Sequence, residues 1–376
     1  MQGAVRETSP VAAGSGGKAP RTAGSPPAPA GGRARGGLSL VEEGRLRGWV
    51  VPVLLAVLLA VCCLGVLLGR YSLSPEDLFA ALASRMGGAP VSDRIDSVVF
   101  GLRIPRIVLA VIVGGGLAVA GAAFQSLFSN PLATPDTLGV TAGASVGAVI
   151  GLLLSVPLIG VQLISLVFGI AAVGLTVSIA RHRGRSSIVM LVLAGVVVSA
   201  IANAVLSLLK LTADPDDKLP QITYWLMGSL ASAEMRQILL GAPLIVLGSA
   251  VIIALRWRLN VLALGEDEAR ASGTSVGAIR AALIVSATLI TAACIAMCGQ
   301  VGWIGLLIPH IARMLCGNNN SAVVPVSTVL GSIFLVAIDT LARTLLASEI
   351  PISVLTAIIG APVFIVLLRR TGGRWS

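Results

Sequence analysis

Ten apolar stretches, most of them about as long as a bilayer-spanning helix, constrain this chain more than any other feature. They lie at 50–69, 107–125, 138–156, 159–180, 188–209, 238–255, 276–297, 303–316, 322–342 and 351–368. An α-helix needs about 20 apolar residues to cross the hydrocarbon core, and only the stretch at 303–316 is clearly shorter. The sequence therefore predicts an all-α polytopic membrane protein with about ten transmembrane helices.

Composition supports this class and argues against two others. Charged residues make up 12% of the 376 residues, against about 25% in soluble domains. The net charge is +10, but aromatic residues are only 4% and the basic residues sit at the ends of the apolar stretches, so no nucleic-acid partner is predicted. The five cysteines and two histidines lack the spacing of a metal site, and no metal or cofactor is expected.

Lysine and arginine also predict the orientation. If the N-terminus is inside, the inner segments hold more of these residues than the outer ones, which favours both termini in the cytoplasm. Residues 1–45 are rich in Ala, Gly, Pro, Ser and Arg without apolar periodicity, which predicts a disordered cytoplasmic tail. Residues 46–376 form the predicted transmembrane domain. On the outer side, Ser74-Pro75 predicts one short helix, and 212–232 contains a second at the interface.

The passage 256–280 is a charged, helix-forming segment between two long apolar stretches. It predicts two short helices over about 259–277 that meet at a glycine corner, because Gly273 can adopt the left-handed conformation that ends a helix. Ser275 is expected to cap the second helix. Such an element is too small to be a domain, and its expected use is to be gripped by another protein at the cytoplasmic surface.

Glycines punctuate the third apolar stretch at every fourth residue: Gly139, Gly143, Gly147 and Gly151. A stripe without side chains allows a neighbouring helix to approach closely. The same stretch contains the hydrolase pattern G-x-S-x-G around Ser145, but no histidine or acid is an evident partner, so packing is the favoured interpretation.

Two further segments contain helix breakers. The loop 130–136 carries Pro131 and Pro135 and is either a stiff connector or a second surface for a cytoplasmic partner. Gly299, Gly302 and Gly305 flank Trp303 just before the short stretch with Pro309, His310 and Arg313, which predicts a broken, mobile element. His310 is expected to fill a polar niche, or alternatively to act in ligand passage.

Asp339 and Arg343 are four residues apart and can pair on one helix face near the outer end of the ninth stretch. A local ion pair is the simpler interpretation, and a contribution to an outer vestibule or docking surface is the alternative. Arg85, Arg94 and Arg103 are further candidates for outer docking charges.

Several separated motifs appear together in one order. They are LRIPRIVLAVIVGGGLAVAGAAFQ, SNPLATPDTLGVTAGASVGA, YWLMGSL, LALGEDEARASG, GQVGWIGLLIPHIARMLCG, AIDTLAR and EIPISVLTAIIGAPVFIVLLRR. Over about 50–370 the chain resembles the FecCD family, the permease subunits of binding-protein-dependent ABC importers for ferric siderophores, haem and cobalamin. The Cys298–Val301 stretch and Asn318-Asn319-Asn320 are less typical.

The resemblance implies a type II ABC importer permease architecture with ten helices per subunit. It also implies a second permease subunit (homo- or heterodimer), a separate cytoplasmic ATP-binding subunit that uses the ATP, and an extracytoplasmic substrate-binding protein. It places the coupling helices on Leu264 to Gly273, with the candidate contacts Leu264, Gly265, Glu266, Glu268, Ala269, Arg270 and Gly273. We hypothesise that Leu264 and Ala269 enter a groove on the ATPase while Glu266, Glu268 and Arg270 set the register at its rim. The gate or translocation candidates are Gly302, Gly305, Pro309, His310, Asp339 and Arg343.

The chain has no G-x-x-x-x-G-K-[ST] loop, so it is not expected to be an enzyme or to bind nucleotide itself. The predicted function is import of a ferric siderophore across the cytoplasmic membrane, with haem or cobalamin as the alternative. An ion-coupled secondary transporter would need ionisable residues near the bilayer centre, and the apolar stretches are nearly free of charge.

Overall fold

The computed structural model describes residues 41–42, 45–181 and 188–371. The predicted disordered tail lies almost entirely outside these residues, so its disorder stays a prediction. Where the description begins, two strands of two residues each, β1 (Val41–Glu42) and β2 (Arg45–Leu46), pair antiparallel. Most of the remaining described residues are helical.

Ten apolar helices match the ten predicted stretches. They are α1 (Val50–Leu67), α4 (Ile104–Leu127), α5 (Val140–Leu153), α6 (Leu158–Ala180), α7 (Ile188–Leu211), α9 (Met235–Leu262), α11 (Val276–Cys298), α12 (Ile304–Cys316), α13 (Asn320–Thr344) and α14 (Ile352–Thr371). Within the described residues, seven helical segments are long and apolar enough to cross a membrane, and α5, α12 and α14 contain the shorter apolar ones. The prediction of an all-α membrane protein is confirmed.

Short helices fill the connections. They are α2 (Pro75–Arg85), α3 (Asp93–Asp96), a π-helical turn (Ser97–Arg103) that runs into α4, a 3₁₀ turn (Pro135–Leu138), α8 (Lys218–Leu226) and α10 (Glu266–Ala271). The predicted start of α2 is present: the Ser74 hydroxyl accepts from the Asp77 N–H at 3.0 Å, and the Asp77 carboxylate accepts from the Ser74 N–H at 2.9 Å. This reciprocal pair is a capping box, which satisfies backbone donors at the helix start.

Helix α4 lies at the centre of the bundle, where it packs against α9, α11, α12 and α13. Its glycines make the close packing possible. A Cβ on Gly121 would overlap the Gly305 carbonyl oxygen, and a Cβ on Gly114 would overlap the Gly331 carbonyl oxygen. Because lipid tails are as apolar as leucine, such close backbone contact is a main source of helix association in a bilayer.

The predicted glycine stripe divides between two neighbours. Gly143, Gly147 and Gly151 face α6, where added Cβ atoms would lie 2.8 Å from the Phe168 carbonyl oxygen, 2.6 Å from the Ile164 carbonyl oxygen and 3.1 Å from the Val161 Cα. Gly139 is not part of that face. It has φ +83° between the 3₁₀ turn and α5, and it faces Ser199 on α7. A left-handed residue is needed here to redirect the chain, and glycine adopts it without a steric penalty.

Candidate functional site

Residues 264–275, which we call the elbow, form a compact corner between α9 and α11. Gly265 begins the corner with φ +126°. Gly273, which follows the C-cap of α10, has the left-handed conformation that the sequence predicts, with φ +75°. The Ala269 carbonyl accepts from the Thr274 N–H at 3.1 Å and from the Ser272 hydroxyl at 2.8 Å. These bonds satisfy the end of a six-residue helix that would not be stable alone.

The side chains of the elbow differ in what they can contact. Leu264 is 71% exposed, which is unusual for a large apolar side chain beside a polar helix, whereas Ala269 is fully buried. The prediction that Ala269 enters a groove on a partner is therefore wrong, because its methyl group packs inside the corner. Glu268 and Arg270 are exposed. The Glu268 carboxylate lies close to Gly265, where an added Cβ would be 2.5 Å from a carboxylate oxygen.

Two further expectations about the elbow have different outcomes. Ser275 occupies the N-cap position of α11, but its side chain makes no capping hydrogen bond, so that detail of the prediction is wrong. Glu266 is the first residue of α10, and its side chain lies outside what the structure describes.

A hydrogen-bond network connects the base of the elbow to the start of α12. Near the end of α9, Asn260 donates to the Asn319 side chain and accepts from the Asn320 N–H, both at 2.8 Å. Asn320 in turn accepts from the Ser126 hydroxyl at 2.6 Å. Ser126 lies in the last turn of α4, so the atypical asparagines 318–320 of the sequence include residues that link α9, α4 and α13.

The same network continues along α4 to the break before α12. Arg313 donates to the Ser126 hydroxyl at 3.4 Å and to the side-chain oxygen of Gln125. The Gln125 amide donates to the backbone carbonyls of Gly305 and Leu306 at 3.2 and 3.1 Å. A continuous polar route thus runs from Asn260, which precedes the elbow on α9, to residues 305–306. Such a route is a physical connection, and coupling additionally requires two stable arrangements of the helices.

The chain breaks at 299–303, between α11 and α12. The sequence places this break in the right region but attributes it partly to Pro309, and that attribution is wrong because α12 is one continuous helix from Ile304 to Cys316. Trp303 has φ +72°, a conformation that is rare for a bulky side chain. It is held against α14, where Phe364 meets its ring edge-on at 6.4 Å and a Cβ on Gly360 would lie 3.2 Å away.

A cavity of about 290 Å³, which we call the central cavity, lies at this break. The connection 134–136 borders it from one side and residues 300–303 from another, so two interrupted segments of the bundle meet there. It is lined by Leu117, Thr134, Pro135, Asp136, Thr141, Thr291, Ile295, Gln300, Val301, Gly302, Trp303, Gly305, Leu306 and Ser353. Of the predicted gate residues, Gly302 and Gly305 line this cavity.

The segment that follows α8 ties the cavity wall together. The Ser229 N–H donates to the Cys298 carbonyl at 2.9 Å, and the Ser353 N–H and hydroxyl donate to the Met227 carbonyl at 3.2 and 2.6 Å. A Cβ on Gly228 would overlap the Gln300 carbonyl oxygen. The YWLMGSL motif therefore holds the break before α12 and the start of α14 in place.

Asp136 is the cavity residue that sequence reasoning missed. Its loop was recognised only as a stiff connector or a second surface for a cytoplasmic partner. Leu132 is indeed 54% exposed, but Thr134, Pro135 and Asp136 line the cavity. Asp136 accepts a hydrogen bond from the Thr141 hydroxyl. Enclosure by protein raises the pKa of the Asp136 carboxyl, while the hydrogen bonds from Thr141 and Thr134 act against that rise.

The remaining gate candidates do not reach the cavity. His310 is 2% exposed and meets the Phe364 ring edge-on at 5.8 Å, and Pro309 is also buried within α12. Asp339 and Arg343 lie at the opposite end of α13 from the Asn320 network. Among the described residues, no group of three or more His, Cys, Asp or Glu side chains is arranged to hold a metal ion.

An ionic cluster around Arg343, which we call the Arg343 cluster, holds the C-terminal end of α13, the start of α4 and the C-terminal end of α1 together. Asp339 pairs with Arg343 at 3.4 Å, as the sequence predicts, and also with Arg106 at 2.8 Å. Arg106 reaches Glu349 at 3.0 Å. The sequence shows the i, i+4 pair, but the long-range partners could be known only from the fold.

The same cluster caps the C-terminal end of α1. Arg343 donates to the carbonyls of Leu68, at 2.8 Å, and Gly65, while Arg103 donates to those of Leu67, at 3.0 Å, Val66 and Tyr71. The last carbonyls of a helix have no partner within the helix, and the helix dipole favours a cation there. Arg103, a candidate docking charge, is thus 6% exposed and occupied in the structure.

Replacing Arg343 with methionine is expected to destabilise the folded protein by about 3 kcal/mol, because it uncaps α1 and removes one partner of the buried Asp339. The measurement is the midpoint of thermal unfolding in detergent micelles. Arg85→Met is the matched control, because the Arg85–Asp96 pair at 2.9 Å has side chains that are 58% and 38% exposed and such pairs contribute about 0–1 kcal/mol. Equal losses in the two variants would contradict a capping role.

Comparison with known proteins decides the family. The family model described as the FecCD transport family matches residues 57–370. The chain belongs to the FecCD transport family. As a FecCD protein it is a multi-pass membrane protein, and the resemblance inferred from its motifs is confirmed.

Individual relatives of this FecCD chain differ in the substrate that their names give. The molybdate import system permease protein MolB of Haemophilus influenzae is 37% identical over 317 residues, which are 84% of this chain and 94% of MolB. The cobalamin import system permease protein BtuC of Halobacterium salinarum is 36% identical over 78% of this chain and 79% of BtuC. A solved structure assigned to the metal-chelate type of ABC transporter, in an inward-facing conformation, is 34% identical with a TM-score of 0.77 and covers 86% of this chain and all of the other.

Proposed function

We propose that this FecCD protein is the transmembrane permease subunit of an ATP-driven ABC importer that moves a ferric siderophore across the cytoplasmic membrane. The observation that carries the proposal is the polar network from Asn260, which precedes the exposed elbow on α9, to Gly305 and Leu306 at the central cavity. It leads from the helix that carries the proposed contact surface for the partner to the cavity where the segments 134–136 and 300–303 meet.

The division of labour follows from the residues. This sequence has no phosphate-binding loop, so ATP is hydrolysed on a separate cytoplasmic subunit. The partner contacts Leu264 and the charges Glu268 and Arg270 of the elbow, and its movement shifts α9 and α11. A ligand-driven change requires different contacts in two states, and the loosely filled break at 299–303 is the element that we expect to rearrange.

The other partners complete the importer. A second permease subunit, identical or related, lies beside this one, and a substrate-binding protein delivers the ligand at the end that carries the Arg343 cluster. Both termini and the elbow then lie in the cytoplasm, in agreement with the excess of lysine and arginine on that side. Arg85 and Arg94 remain candidate docking charges on the outer face.

A ferric siderophore is our first choice of substrate because the structural relative is assigned to the metal-chelate type of ABC transporter. Haem and cobalamin are the alternatives, and the names of the relatives add molybdate. An ion-coupled transporter is the competing class, and Asp136 is an ionisable group of the kind that it would use. The exposed elbow favours ATP coupling, since an ion-coupled carrier has no use for it.

Uptake in a strain that lacks this gene tests both levels of the proposal. Cells that express the chain with its partner subunits should accumulate a radiolabelled ferric siderophore. Labelled haem, cobalamin and molybdate are tested in the same cells as alternative substrates. Uptake should stop when the lysine of the phosphate-binding loop in the ATPase subunit is replaced, because that subunit then no longer hydrolyses ATP. Uptake of molybdate alone would reject the substrate, and uptake that persists without ATP hydrolysis would reject the ABC mechanism.

A further inference from the structure

The central cavity carries a single negative charge. Of the described residues that line it, Asp136 alone is charged, and none of the ion pairs formed by the described residues includes it. Its hydrogen bond with Thr141 comes from a neutral hydroxyl, which orients the carboxylate without cancelling its charge. Asp136 is exposed to the cavity, so its field acts on whatever enters there.

Thr291 is a second, independent sign of a ligand. It lies on α11, on another wall of the same cavity, and is 3% exposed. Its hydroxyl has no hydrogen-bond partner in the described structure. A buried polar group without a partner costs about 1–3 kcal/mol, so it is expected to be satisfied by something that occupies the cavity.

The chemistry of the walls selects the kind of group that fits. A carboxylate, with hydroxyls from Thr134, Thr141 and Thr291, accepts hydrogen bonds and attracts positive charge. An oxyanion would meet the Asp136 charge with no basic side chain among the lining residues to offset it. Since ligand cavities for drug-sized molecules are about 300–1,000 Å³, a cavity of about 290 Å³ suits one arm of a chelate and not a whole one.

We propose that the central cavity is a subsite of the substrate path that receives a positively charged or N–H-donating arm of a metal chelate and disfavours oxyanions, with Asp136 as the residue that determines this preference. The inference rests on the proposed function. It predicts that the substrate is a chelate without excess negative charge, such as a hydroxamate siderophore. Molybdate and chelates that present carboxylates are predicted to be poor substrates.

The first experiment measures the charge preference without substrate or partners. Gly302 lines the cavity, and a Cβ there meets nothing within 4 Å, so Gly302→Cys is a suitable reporter. The sample is the full chain in lipid nanodiscs, with Cys62 and Cys63 replaced by alanine. A cationic methanethiosulfonate (ethyltrimethylammonium) should react about tenfold or more faster than the anionic ethylsulfonate, after each rate is divided by that with free 2-mercaptoethanol.

Asp136→Asn should remove most of that preference, and the control Asp216→Asn, on an exposed outer loop, should leave it unchanged. A preference that survives Asp136→Asn would overturn the proposal. If neither Gly302→Cys nor Val301→Cys reacts with either reagent, the cavity is closed to ligands and the proposal is overturned as well.

The second experiment uses transport of a matched pair of chelates. Ferrioxamine B carries one free ammonium group, and its N-acetylated form is neutral and otherwise alike. The uptake ratio of the cationic to the neutral form should fall about tenfold or more in Asp136→Asn, and the binding protein cannot cause this change because it is the same in both strains. An unchanged ratio would overturn the placement of Asp136 on the path. If the wild type transports neither chelate, the siderophore assignment fails, while the labelling result still decides the charge preference.

Discussion

Replacing Leu264 with aspartate is expected to abolish ATP-dependent uptake while the permease remains folded. Leu264 is 71% exposed at the corner before α10, so its loss leaves the bundle intact but removes the apolar anchor that we assign to the ATPase contact. A side chain that acts as an anchor at the centre of an interface contributes about 2 kcal/mol or more to binding, which corresponds to about thirtyfold in affinity, and this is the size of effect that the assignment of Leu264 predicts. The measurement is copurification of the ATPase subunit together with uptake.

The companion variant Glu268→Arg should act in the same direction, because it reverses a charge at the rim of the same contact. Met86→Asp is the control for copurification. Met86 is 89% exposed, and it follows α2 at the end of the bundle that carries the Arg343 cluster. Normal ATPase binding in both elbow variants would show that the coupling surface lies elsewhere.

Replacing Gly121 with alanine is expected to have the largest effect on the fold. The added methyl group would overlap the Gly305 carbonyl oxygen and lie 2.6 Å from the Gly305 Cα. Backbone atoms cannot yield as a flexible side chain can, so α4 and α12 must separate. We expect destabilisation of about 3 kcal/mol or more, with loss of the monodisperse peak in size-exclusion chromatography and a lower unfolding temperature.

Gly174→Ala provides the matched control for this substitution. Gly174 also lies inside an apolar helix, α6, but a Cβ there meets nothing within 4 Å. Alanine is the better helix former by about 1 kcal/mol, so this variant should be as stable as the wild type or slightly more stable. A similar loss in both variants would mean that the close approach of α4 and α12 contributes little.

Much of the architecture was predictable because it depends on local properties of the chain. Apolar stretches of sufficient length must be helical in a bilayer, where each backbone group needs an internal partner. The capping box at Ser74 and the left-handed Gly273 could also be predicted, because helix caps depend on a few neighbouring residues. The i, i+4 pair of Asp339 and Arg343 follows equally from helix geometry.

The errors in the prediction share one cause, which is that the tertiary packing was not known. Ala269 was taken as a contact on a partner because it lies in an exposed motif, yet it faces inward. Pro309 was taken as the break because proline disfavours helix interiors, yet the chain breaks earlier, where Trp303 adopts φ +72°. Packing against Phe364 and Gly360 on α14 can hold that conformation, and no local rule predicts it.

By itself, the sequence determined the membrane class, the ten helices, the family and the position of the elbow, since hydrophobic length, helix caps and ordered motifs are properties of neighbouring residues. Only the tertiary structure decided that Asp136 and Thr291, 155 positions apart in the numbering, face one cavity, and that Arg103 and Arg343 cap α1. These relations depend on which helices become neighbours. That choice is made by backbone contacts such as Gly121 with Gly305, whose partner is specified by the whole packed bundle and by no segment alone.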